Sequence, residues 1–218
     1  MLSRRHFIAS STALFAAPMT GGRAHAQSAD WDAWDAEVTP ADFDPETSNP
    51  WDLHPRFLRH LVQTNRTLRA GDIHVDAVAR YLYHIQEGGN TAMRYGVAIG
   101  RDGLYIPGTF TVGARARWPM WTPTATMIAR NPEYAEWAAG QEGGPRNPLG
   151  ARALYLYSGG RDTYLRIHGT PQPRSVGHRA SSGCVRMVMA HIIDLYENVH
   201  TGATVHLYPA DVVVSDAS

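Results

Sequence analysis

The chain has no lysine: all twenty of its Lys+Arg residues are arginine. That excludes a catalytic lysine, a Schiff base and a P-loop, each of which needs the ε-amine. A single cysteine excludes any intrachain disulfide. Twenty basic side chains balance twenty acidic ones, so the formal net charge is zero and the electrostatic footprint of a nucleic-acid binder is missing. Metal-site spacings are missing as well: there is no His-Glu-x-x-His, no compact His/Cys group and no EF-hand pattern. Beyond the N-terminus no hydrophobic run approaches the ~20 residues that span a bilayer. The 218 residues, 44% of them hydrophobic, suffice for one well-packed domain.

The N-terminus reads as targeting. Ser3-Arg4-Arg5-His6-Phe7-Ile8 leads into an apolar stretch ending at Ala17, and Ala24-His25-Ala26 offers small residues to a signal peptidase. This pattern resembles a twin-arginine export signal, with cleavage after Ala26 and a periplasmic mature chain beginning at Gln27. From Gln27 to Pro55 there are eight acids and no arginine, with three tryptophans and several prolines, which predicts an extended or loosely ordered lead-in. Residues 56–218 hold seventeen arginines against twelve acids. The expected division is a signal peptide at 1–26, an acidic lead-in at 27–71, a catalytic body at 72–210 and a tail at 211–218.

The body reads as mainly β. Asp72 to Gln86 alternates apolar side chains up to a Gly88-Gly89-Asn90 turn, Arg94 to Gly100 repeats the pattern, and Arg101-Asp102-Gly103 is a second turn, which predicts consecutive hairpin strands. Phe57 to Val62 is short and helical or irregular. Ala114 to Gly150 carries five prolines and four glycines, predicting a long folded-over loop. Leu154–Tyr157, Thr163–His168 and Thr204–Tyr208 read as strands, and Ala190–His200 as a helix whose Ile192, Leu195, Tyr196 and Val199 share one face.

The chemistry concentrates in Ile167-His168-Gly169-Thr170 and Ser181-Ser182-Gly183-Cys184-Val185-Arg186-Met187. A cysteine without a disulfide partner, on a turn shaped by Ser181, Ser182 and Gly183, suits a nucleophile whose neighbouring backbone N–H groups face a developing oxyanion. A buried, inert cysteine is the alternative from its count alone. A thiol with a reference pKa of about 8.5 needs a base, and His168 at a strand end is the first candidate. His178, in a polar loop, is the rival.

These segments, with Ser175-Val176-Gly177, Trp118-Pro119-Met120-Trp121-Thr122-Pro123, Asn147-Pro148-Leu149-Gly150-Ala151-Arg152-Ala153 and Asp194-Leu195-Tyr196, closely resemble the L,D-transpeptidase catalytic domains, the YkuD-type peptidoglycan enzymes. The resemblance runs from about Asp72 to Tyr208. It implies a β-sandwich of mixed sheets with one or two short helices and a capping loop. It implies further that Cys184 is acylated by a peptidoglycan tetrapeptide stem, with His168 as base. The Gly169 carbonyl would be the third partner, and the Gly183 and Cys184 N–H groups the oxyanion hole. Arg186 would steady the turn or a substrate carboxylate. Ser181, Ser182, Trp118 and Trp121 would contact substrate, the two tryptophans as part of the cap or of a small satellite core. Many members carry a second histidine where this chain has Ser182. The acceptor stays open between a stem-peptide amine giving a 3–3 crosslink, an outer-membrane lipoprotein lysine, and water, as in an L,D-carboxypeptidase or endopeptidase. A catalytically silent cell-wall binding module on the same fold is the remaining alternative. No cofactor, metal or nucleic acid is expected, and neither is a membrane span after signal cleavage.

Overall fold

A computed structural model describes residues 22–45 and 47–211, with side chains from Asp30 onward. The arginine pair and apolar run of the expected export signal lie outside the described residues, as does the tail beyond Asp211.

The acidic lead-in departs from its sequence reading. Its backbone forms helix α1 (Gly22–Val38), which includes the expected cleavage point at Ala26. Nothing in its first or last turn caps it electrostatically, so tertiary contacts hold it. Asp35 accepts from both terminal nitrogens of Arg152, each at 2.8 Å, and from Arg117 at 2.6 Å. Trp34 packs edge-on against Trp118 with ring centroids 5.3 Å apart. Two of the eight acids in the stretch, Asp32 and Asp35, are thus paired with arginines some eighty to one hundred and twenty positions away. Further along, Leu53 and Phe57 are buried with Val176 and Val188, and Trp51 packs against this group.

The body is one nine-stranded mixed sheet with a small two-stranded one. Its strands are β1 (His60–Gln63), β2 (Ile73–Asp76), β3 (Tyr81–Ile85), β4 (Thr91–Gly96), β6 (Gly108–Arg117), β7 (Arg152–Ser158), β8 (Arg161–Thr170), β10 (Val185–Val188) and β11 (Thr204–Leu207). The order across the sheet is β1-β4-β3-β2-β11-β6-β7-β8-β10. β5 (Ile99–Gly100) and β9 (Arg179–Ser181) form the small sheet. One expected hairpin forms, since β3 pairs antiparallel with β4 across the Gly88-Gly89-Asn90 turn, but the Arg101-Asp102-Gly103 turn closes none: β5 pairs parallel with β9, and β6 pairs with β11 and β7. The single expected strand over Asp72 to Gln86 is two strands, because the chain reverses at Arg80, whose φ is 65°.

Apolar periodicity accounts for the helix and strands packed behind the site. Helix α3 (Met189–Asn198) buries Ile192 and Leu195 against the core. The central core takes Ile73, Val75 and Leu82 from the hairpins and Leu154, Leu156 and Ile167 from β7 and β8, all at 0% exposure. Burying such aliphatic side chains stabilises by about 1.5–3 kcal/mol each. The long segment between β6 and β7 folds over as a cap that includes helix α2 (Ala125–Arg130) and a 3₁₀ turn at Pro132–Trp137. Thr124 caps α2 by accepting from the Met127 N–H. A bridge between Trp121 and Gln141 closes the loop, and Asn147 donates to the Gln141 and Glu142 carbonyls at its far end.

Candidate active site

Strand β10 runs parallel to β8, with Arg186 paired to His168 and Met187 to Gly169. Cys184 stands just before β10, so the sheet's edge brings the thiol and the imidazole to one place. Both line a single cleft of about 590 Å³, together with Arg186, Ser181 and Ser182. Capping-loop residues Met120, Trp121, Met127 and Tyr134 line the same cleft. Ile106, Met120 and Tyr164 leave apolar surface exposed at its rim.

The turn around Cys184 is held from within. Ser181 Oγ donates to the Cys184 carbonyl at 2.5 Å and accepts from the Gly183 N–H at 3.1 Å. The backbone between them passes through φ 132° at Gly183, a conformation that L side chains rarely adopt. Ser181 lines the cleft but is 1% exposed, with its hydroxyl committed to the turn. The Gly183 N–H is likewise engaged by Ser181, which leaves the Cys184 N–H as the candidate oxyanion donor.

His168 is 4% exposed, and its Nδ1 lies 2.6 Å from the Gly169 carbonyl oxygen. A carbonyl only accepts, so Nδ1 carries the proton and Nε2 is left with its lone pair. Gly169 has no room for a side chain: a Cβ there would come within 2.9 Å of Met189 Sδ. Burial, and next the Arg186 guanidinium, lower the His168 pKa to about 3, against the opposing pull of the Gly169 and Leu149 carbonyls. Burial raises the Cys184 pKa, with the Arg166 backbone N–H and the Arg166 and Arg186 cations pulling the other way. The resting pair is therefore neutral thiol and neutral imidazole, not a preformed ion pair. Cys184 Sγ sits 3.8 Å from the Tyr164 carbonyl oxygen.

Arg186 Nε is buried and has no hydrogen-bond partner among the described residues, and burial lowers its pKa. Arg166, by contrast, is engaged by Asp162 in a two-pronged pair at 2.6 and 2.8 Å and lies over the Tyr155 ring. Trp121 lines the cleft, edge-on to Tyr134 at 5.3 Å. Trp118 does not line it. Its ring is buried with Ala151 and Met189 beneath α1, and its Nε1 donates to Asp35 at 3.1 Å. The pairing of these two tryptophans in one motif conceals opposite destinations. His178 is not among the cleft-lining residues either. Sequence reasoning missed Tyr164, a non-glycine residue with φ 61° whose N–H is held by Asp162. Strain of this kind gathers at working sites, but no sequence signal marks it.

A mainly β domain with a cysteine and a neutral, backbone-anchored histidine under a folded-over loop has the layout of a covalent acyl-transfer site. The chain belongs to the YkuD family, the L,D-transpeptidase catalytic domain, whose family model matches residues 70–207. It is 37% identical over 139 residues to the probable L,D-transpeptidase YbiS of Escherichia coli, a match covering 60% of this chain and 42% of that protein. A solved structure from Brucella melitensis, described as a probable carnitine operon oxidoreductase, is 43% identical, with 70% of this chain and 94% of that one covered and a TM-score of 0.49. The fold is shared with the Ldtfm–avibactam carbamoyl enzyme, at 17% identity, a TM-score of 0.50 and coverage of 66% of this chain and 51% of that one. The chain spans about half or less of the length of the curated relatives it matches, 42% for YbiS and 44% for the E. coli ErfK/SrfK protein.

Proposed function

We propose that this protein is an exported peptidoglycan L,D-transpeptidase that uses Cys184 as its nucleophile. The observation carrying the reading is the placement of Cys184 and His168 in one cleft, with His168 Nδ1 tied to the Gly169 carbonyl so that Nε2 is the free base. As Sγ attacks the carbonyl carbon of the donor stem peptide, the thiol proton passes to His168 Nε2. Because both groups rest neutral, proton transfer accompanies attack. The oxyanion faces the Cys184 N–H. When the C–N bond breaks, the leaving amine takes the proton from His168 and a thioester remains on Cys184. An acceptor amine then attacks the thioester, gives its proton to His168, and the thiol is restored.

Arg186 suits a carboxylate of the stem peptide, since its buried guanidinium gains most from a fixed anion. Trp121 and the cap over the cleft favour transfer over hydrolysis by excluding water from the thioester. Among the described residues no helix is long and apolar enough to cross a membrane, and the Arg4-Arg5 leader supports export to the periplasm by a twin-arginine route.

The test is mass spectrometry of peptidoglycan fragments incubated with wild type and with Cys184→Ala. New crosslinked dimers from wild type alone support the transpeptidase, and attachment to a lipoprotein lysine would define the other acceptor. Shortened stems without crosslinks would make it a hydrolase. Unchanged fragments, together with a thiol inert to a covalent probe, would make it a binding module and overturn the proposal.

A further inference from the structure

The parallel pairing of β11 with β2 sets His206 directly beside His74. Their rings stack at 4.6 Å between centroids, and Asp72, two positions before His74, has its Oδ2 3.7 Å from His206 Nε2. One ligand atom from each of Asp72, His74 and His206 lies within 4.8 Å of the other two. None of the three lines the active-site cleft, and β6 and β7 separate β11 from β8.

We propose that Asp72, His74 and His206 bind a divalent transition metal of the zinc type and clip β2 to β11 at the middle of the sheet. His74 is 9% exposed, its Nδ1 is 2.8 Å from the Tyr208 hydroxyl, and its Nε2 is buried without a hydrogen-bond partner among the described residues. A buried ring nitrogen left unpaired is destabilising, and a metal removes that cost. The Tyr208 hydroxyl can accept from Nδ1–H, which holds the tautomer with a free Nε2 lone pair. His206 has the matching support: its Nδ1 lies 3.3 Å from Thr109 Oγ1, leaving Nε2 toward Asp72. Two imidazoles and one carboxylate form a donor set that zinc takes with water in the fourth position. Donors around tetrahedral zinc sit about 3.3 Å apart, given bonds of about 2.0–2.1 Å. The present spread of 4.8 Å closes by small side-chain rotations. Arg66 is near enough to His74 to oppose a bound cation, and the Asp72 carboxylate offsets it.

His206 lies 132 positions beyond His74, so no sequence spacing announces the trio. The inference is independent of the transpeptidase reading. The experiment titrates ZnCl2 into the full, tag-free chain by calorimetry, with thermal melting in parallel, for wild type, Cys184→Ala, His206→Gln and Asp72→Asn. Near-stoichiometric binding is expected in wild type and in Cys184→Ala, with a raised melting temperature. His206→Gln, at a half-exposed position that tolerates an amide, is expected to weaken binding at least tenfold while keeping the wild-type circular dichroism. Co2+ bound to the wild-type chain is expected to show tetrahedral visible absorption without a thiolate charge-transfer band. Affinity unchanged in both His206→Gln and Asp72→Asn, binding abolished by Cys184→Ala, or no saturable binding would each overturn the proposal.

Discussion

Lowering the pH should destabilise this protein well before its carboxylates titrate, through two buried imidazoles. Burial lowers His168 to about 3 and His191 to about 4. His191 is 1% exposed, wedged edge-on to Trp51, with neither ring nitrogen partnered among the described residues. In the unfolded chain each takes up a proton near pH 6.5. Between about pH 4 and 6.5 the unfolded state therefore binds more protons than the folded one, so stability is lost as pH falls through that window. At about pH 5 each histidine removes roughly 2 kcal/mol, and the pair roughly 4 kcal/mol, relative to neutrality. That is a large share of the 5–15 kcal/mol typical of a domain. Urea denaturation of wild type and His191→Phe at about pH 7.5 and about pH 5 measures it. Wild type should lose about 4 kcal/mol and His191→Phe about half of that. A wild-type loss below about 1 kcal/mol, or an equal loss in both proteins, would refute the reasoning.

Three further outcomes are expected. Alkylation of Cys184 by a small thiol reagent should accelerate steadily as pH rises above neutrality, because burial holds the thiol protonated, and His168→Gln should slow turnover by about a hundredfold or more; a rate already at plateau near pH 5 would show a preformed thiolate instead. Asp35→Ala should cost about 3–5 kcal/mol in thermal or chemical denaturation, since it strands the 3%-exposed Arg152 cation, and a change under about 1 kcal/mol would show that α1 does not hold the base of the cap. Gly150→Ala should impair activity as well as stability. Its φ is 63°, and a Cβ there would lie 2.8 Å from the Gly169 carbonyl carbon, displacing the group that orients His168; wild-type turnover in this variant would count against the carbonyl's role.

Elements whose information is local were legible in the sequence. The β3–β4 hairpin is announced by alternation around a glycine turn, and α3 by Ile192 and Leu195 on one face followed by Gly202. Cys184 and His168 were legible because the motif residues lie within a few positions of each. What failed depends on distant partners. The acidic stretch reads as loosely ordered until Arg117 and Arg152 are folded against it. Trp118 and Trp121 look equivalent, yet only the backbone's path at the loop entrance, where Trp118 takes φ 45°, sends one beneath α1 and the other into the cleft. The engagement of the Gly183 N–H by Ser181 depends on turn geometry that residue types do not specify.

In a triad oriented by an aspartate, one nucleotide change can delete the orienting group and leave the rest standing. Here the oxygen at Nδ1 belongs to residue 169's own peptide unit, so no substitution deletes it; one can only shift the backbone that carries it, as Gly150→Ala would. The geometry of the base is therefore inherited with the sheet itself, and drift in this protein is expected to erode its choice of substrate sooner than the aim of its imidazole.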